Sequence, residues 1–100
     1  MNYPFDYYFV YILTNYYRTV LYVGVTNNLS VRLYQHQHSD KESKSFTKRY
    51  NVFYLIYFER HESITLAIKR EKEIKGWNRS KKESLINTLN PQWEFLNNSI

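Results

Sequence analysis

Arg32 and His36 stand one helical turn apart in the set Leu29, Arg32, Leu33, His36, whose i, i+3, i+4, i+7 spacing puts all four on one face. Two of the four are leucines, so that face should pack, and it carries a guanidinium and an imidazole with it. Desolvating a lone guanidinium costs on the order of several kcal/mol. Its partner is therefore either a protein carboxylate or a substrate phosphate held through two hydrogen bonds. The His is either a structural side chain or a proton carrier beside that phosphate. Glu71 raises the same question from the middle of the stripe Ile64, Ala67, Ile68, Glu71, Ile74, where a carboxylate must be paired, protonated or bound to a metal. Lys75, four residues on, offers an ordinary helical salt bridge. Glu73 falls on the opposite side of the helix and reads as solvated surface.

Two tyrosines complete the set. Tyr11 sits in Phe9-Val10-Tyr11 and Tyr22 in Val20-Leu21-Tyr22-Val23-Gly24, both short apolar runs of strand character. A hairpin loop centred between Tyr16 and Tyr17 would put Tyr11 directly opposite Tyr22 on one face of the sheet. A slip of one residue would separate them. The pair is either an aromatic packing contact in the core or two halves of a site. Gly24 favours the site, because a Gly inside a strand gives up packing and often marks close approach of a backbone or ligand.

The elements that must position these groups follow from local pattern. Residues 7–14 and 20–25 form a hairpin across the polar break at 15–19. Thr26, Asn27 and Asn28 are capping residues for a helix from Leu29 to His38. Residues 39–45 read as a charged loop and 52–59, VFYLIYFE, as the clearest strand. Ser63 caps a long helix that Gly76 stops after Lys75. Ser80 caps another that ends before Asn90-Pro91. The order β-β-α-β-α-α predicts an α+β domain: a three-stranded, mainly antiparallel sheet with helices packed on it.

The 100 residues are expected to form one domain over 1–100, and 43% hydrophobic content with 2 Gly and 2 Pro argues for a folded core. The absence of Cys excludes disulfides and thiolate metal sites. With neither a signal-peptide pattern nor a long apolar run, the expectation is a soluble, cytoplasmic protein with no membrane partner. A net charge of +5 points to a phosphate-bearing partner. The cations gather at Lys41, Lys44, Lys48, Arg49 and again from Lys69 to Lys82, either as solvated faces or as binding surface. Awkward polar residues on three separate elements of a basic chain suggest a common cleft.

These residues, in this order, resemble the GIY-YIG nuclease superfamily over nearly the whole chain. Its two tripeptides correspond to Phe9-Val10-Tyr11 and Tyr22-Val23-Gly24. "GVTNNLSVRLYQH" is similar to its segment leading to a helical Arg and His, and "FTKRYNVFYLIYFE", "AIKREKEIKGW" and "NPQWEFL" resemble its short single-domain branch. The nuclease modules of bacterial excision-repair and homing endonucleases are similar. Phe9 departs from the family's Gly, at a position that packs rather than reacts.

The resemblance implies a DNA endonuclease, a phosphodiester hydrolase, using one Mg²⁺ or Mn²⁺ held by Glu71. Tyr22 would activate water, Tyr11 would position it, Arg32 would grip the phosphate and His36 would accept the proton. A phenol is a poor base near neutral pH and would need Arg32 and the ion to lower its pKa. Gly24, Lys48 and Asn90 are candidate substrate contacts. The alternatives are a nucleic-acid-binding module of the same fold with little cleavage, and a protein-interaction domain with exposed tyrosines. DNA against RNA, the target and the oligomeric state stay open.

Overall fold

The computed structural model describes residues 7–38 and 50–100. Lys48 and the charged 39–45 segment lie outside the described residues. Strand β1 (Tyr8–Thr14) is central, with β2 (Leu21–Thr26) and β3 (Tyr54–His61) on either side in the order β2-β1-β3, all antiparallel. Helix α1 (Leu29–Gln37) follows the hairpin, and helices α2 (Ile64–Lys75) and α3 (Arg79–Leu89) follow β3. The α+β class and element order are those the sequence predicts. None of the described helices is long and apolar enough to cross a membrane.

Alternation along β1 creates two cores. Val10 and Ile12 point to one side and pack with Val23, Ile56, Tyr57, Ala67, Ile74 and Ile86, so α2 and α3 cover that face. Tyr11 and Leu13 point to the other and pack with Leu29 and Leu33 of α1, together with Val52 and Leu55. A bulge shifts the β1–β3 register between Ile12 and Leu13, which pair with Tyr57 and Leu55. The extra residue, Ile56, lets two consecutive side chains enter the same core.

The hairpin register differs from the expected one by two residues. Tyr11 pairs with Gly24, and Tyr22 with Leu13. The cause is the loop. Arg18 N–H donates to Asn15 C=O in a turn with Arg18 at φ 61°. The Asn15 side chain then accepts from the amides of Thr19 (2.8 Å) and Val20 (3.0 Å), holding both residues in the loop. Because a shift of two preserves facing, Tyr11 and Tyr22 still share a face, now as diagonal neighbours.

Helix ends follow side-chain caps. Asn28 accepts from Val31 N–H and Ser63 from Leu66 N–H, as expected. The cap of α3 is Asn78, whose side chain accepts from Lys81 N–H at 2.9 Å, so Ser80 lies inside the first turn rather than at its cap. The second basic cluster is partly internal glue. Arg79 donates to the carbonyls of Thr19 and Arg18, tying α3 to the hairpin loop, and Arg70 pairs with Glu59 of β3.

Gly24 is a steric requirement of this register. A Cβ there would lie 2.5 Å from Tyr11 Cζ and closer still to its Oη. The Tyr11 ring is fully buried and cannot swing aside. Gly24→Ala should therefore destabilise the fold by about 1–3 kcal/mol, read from urea unfolding. An unchanged midpoint would show that the ring has another place to go.

Candidate functional site

The odd-numbered face of β1 drives the Tyr11 ring under α1, where Arg32 and His36 share the inward stripe with Leu29 and Leu33. Tyr11 Oη lies 2.8 Å from His36 Nε2, and Arg32 Nε donates to the same oxygen at 3.3 Å. A guanidinium only donates, so the phenol oxygen is its acceptor. The phenol's single proton is then available for His36 Nε2, which accepts it when the neutral ring carries its own proton on Nδ1. Electrostatics agree. Burial first, then the Arg32 charge, lowers the His36 pKa to about 4. Burial raises the Tyr11 pKa to about 12 despite the Arg32 hydrogen bond, so Tyr11 stays a neutral phenol.

Tyr22 stands beside this junction, half-buried, with its ring centroid 6.4 Å from Tyr11 and 5.4 Å from His36 in an edge-on contact. The hydrogen bond that Arg32 donates to Tyr11 holds Arg32 above its usual pKa, with both phenols adding to the effect. Arg32 Nη1 also donates to Gln35 Oε1 at 3.2 Å. Among the described residues no carboxylate forms a salt bridge with Arg32.

Glu71 is 8% exposed on the packed stripe of α2, between the fully buried Ala67 and Ile74. Its Oε2 lies 2.9 Å from Lys75 Nζ, the helical salt bridge expected from spacing. The hydrogen bond to Glu71 raises the Lys75 pKa. Although α1 and α2 cover opposite faces, the acid and the phenols interact: the Glu71 charge raises Tyr11, and the Tyr22 charge raises Lys75. Helix α2 lies over β1 and β2, and β2 is a sheet edge.

Tyr11, Tyr22, Arg32 and His36 are therefore brought into contact, with Glu71 in electrostatic reach. Two expected substrate contacts carry structural duties in the fold. Gly24 makes room for the Tyr11 ring. Asn90, 7% exposed at the end of α3, commits both amide protons to the carbonyls of Ile56 and Glu94 and accepts from Glu94 N–H. The family resemblance offered Asn90 as a ligand contact; in the fold its amide clamps backbone that would otherwise be unsatisfied.

Sequence reasoning missed Gln35, whose i+3 spacing from Arg32 was the available signal. It also missed Glu59, which accepts from Tyr57 Oη (2.5 Å) and Arg70 Nε (2.8 Å) and meets His61 Nε2 at 2.8 Å. Those bonds, led by Arg70, outweigh burial and lower the Glu59 pKa. This acid is saturated. Among the described residues no group of three or more His, Asp or Glu gathers as a metal cage.

Residues 7–84 match the GIY-YIG catalytic domain. A UPF0213 protein of Natronomonas pharaonis is 36% identical over 66 residues, covering 66% of this chain and 75% of that relative. One of Haloquadratum walsbyi is 32% identical over 80% of this chain and 86% of its own. The solution NMR structure of the UPF0213 protein of Bacillus halodurans shares the fold with a TM-score of 0.56 and 26% identity, covering 88% of this chain and 90% of that one. These names state no activity.

The His36 environment sets a pH dependence. Its folded pKa, about 4, lies below the ordinary 6.5. As pH falls through that window the unfolded chain takes a proton that the folded chain refuses, so stability declines with acid. Below about 4 both states bind it and the loss stops growing. Urea unfolding should show wild type losing on the order of 1–3 kcal/mol more than His36→Gln between pH 6.5 and 4. Equal losses would mean that the ring is not held neutral.

Proposed function

The chain belongs to the GIY-YIG catalytic-domain family, and from that premise we propose that it is an endonuclease hydrolysing phosphodiester bonds in nucleic acid, DNA in particular, with one divalent metal ion. The observation that carries the reading is the shared Tyr11 oxygen. It fixes a cation and a neutral imidazole on the same phenol, beside a second phenol that is only half-buried.

A hard divalent ion fits the residues present. Glu71 supplies a carboxylate oxygen from a nearly dry wall, and its bond to the exposed Lys75 ammonium can be exchanged. Glu59, with three donors on its carboxylate, does not fit. When bound at Glu71, Mg²⁺ or Mn²⁺ supplies Lewis-acid charge for the phosphate and the leaving oxygen.

The chain's own groups divide the remaining work. Tyr22 is the phenol that solvent can reach, and it is the group that takes the proton of the attacking water. Arg32, held by Tyr11 and Gln35, favours the phenolate and meets the negative charge that grows on the phosphate oxygens. His36, unprotonated at neutral pH, can receive a proton from this network. Tyr11 acts as a positioning residue: fully buried and with a raised pKa, it orients Arg32 and His36 rather than serving as a base.

Plasmid and single-stranded DNA incubated with the protein and Mg²⁺ or Mn²⁺ should be cut. Tyr22→Phe, Arg32→Ala and Glu71→Gln should each slow cleavage by about 100-fold or more. Variants that cut like wild type would end the catalytic assignment. Salt-sensitive binding without nicking would identify a nucleic-acid-binding module instead.

A further inference from the structure

Among the described residues two acids occupy low-solvent positions, and their partners differ in kind. Glu59 is held by a buried tyrosine and by a partly buried arginine and histidine. Glu71 is held by Lys75, whose side chain is 59% exposed while that of Glu71 is 11% exposed. A carboxylate on an apolar stripe cannot be left with an unpaired charge, because the desolvation cost is several-fold larger than any surface ion pair returns. A flexible ammonium at the rim is the counter-ion most easily removed: it can turn to water or to another anion without breaking any packing.

We propose that Lys75 is a built-in counter-cation that occupies the metal-binding carboxylate of Glu71 until a substrate phosphate draws its ammonium away, so that divalent ion and nucleic acid bind cooperatively. The proposal rests on the nuclease reading and names how its metal site is regulated. The ammonium and the divalent ion compete for one carboxylate, which makes the ion's affinity low when the cleft is empty. A bound phosphodiester offers Lys75 a new partner and offers the ion additional oxygen ligands. Lys75 reaches Glu71 Oε2 at 2.9 Å from an exposed position, so its ammonium already stands at the solvent side of the carboxylate. Linkage makes the effect reciprocal: whatever factor the nucleic acid adds to metal affinity, the metal adds to nucleic-acid affinity.

The test is Mn²⁺ binding to the full chain, read by the electron paramagnetic resonance signal of free Mn²⁺, with and without a phosphorothioate oligodeoxynucleotide. Lys75→Met keeps most of the aliphatic stem and removes the charge. It should tighten Mn²⁺ binding roughly three- to tenfold in the absence of oligonucleotide, and the oligonucleotide should then tighten it further by less than in wild type. Lys75→Arg keeps the charge and should bind like wild type, whereas a merely structural role of the stem would leave Lys75→Met like wild type as well. Glu71→Gln should weaken binding in every case. If Glu71→Gln weakens binding but Lys75→Met leaves it unchanged or weaker, the counter-cation proposal is overturned while the metal assignment stands. If Glu71→Gln binds Mn²⁺ like wild type, the metal assignment itself fails and takes the proposal with it.

Discussion

The Tyr11 hydroxyl has one proton and two close neighbours, and the way that proton must be shared organises the site. Arg32 can only donate to the oxygen, which leaves the phenol proton available to His36, whose imidazole is kept neutral by burial. Burial enforces the same state from both sides, holding the phenol protonated and the imidazole unprotonated. This small network needs a dry, crowded position. It is obtained by pressing the ring against the one strand residue that has no side chain, Gly24. Tyr11 and Gly24 are thus a single steric unit across two strands.

The rest of the fold can be understood as support for that unit. The central strand β1 delivers Tyr11 to one face and the aliphatic pair Val10 and Ile12 to the other, so one strand serves both the site and the main core. Helix α1 is anchored by Leu29 and Leu33, which leaves Arg32 and His36 no freedom to turn away. On the far side α2 is anchored by Ala67 and Ile74, with Glu71 between them. Rigid elements carrying polar groups on packed faces give a preorganised site at the cost of buried polar atoms, each of which must find a partner.

Basic residues in this chain perform two kinds of work. Arg70 and Arg79 are bound to a carboxylate and to loop carbonyls, and they hold α2 and α3 against the sheet and hairpin. Arg18 lies 4.0 Å over the Phe95 ring and donates to Trp93 C=O, closing the same corner. The net positive charge of the sequence is therefore not a measure of free binding surface, since these arginines are already engaged within the fold. Arg32 and Lys75 differ from them: their partners are a phenol, an amide and a half-exposed salt bridge.

Order and type of elements were readable from the chain because they follow from short-range pattern. Alternating β-branched residues made the strands, and caps such as Asn28 and Ser63 set the helix starts. The polar misfits at Arg32, His36 and Glu71 were visible for the same reason, since helical period alone puts them on packed faces. Hairpin register was not visible, because it turns on the Asn15 side chain reaching two amides across the loop and on the fit between Gly24 and a distant ring. Asn90 looked like a ligand contact until its amide was seen to satisfy carbonyls of two other segments. The protonation of Tyr11 and His36 likewise depends on burial and on distances among three elements. Local periodicity travels with the chain; hydrogen-bond partners and dielectric surroundings exist only after folding has brought remote segments together.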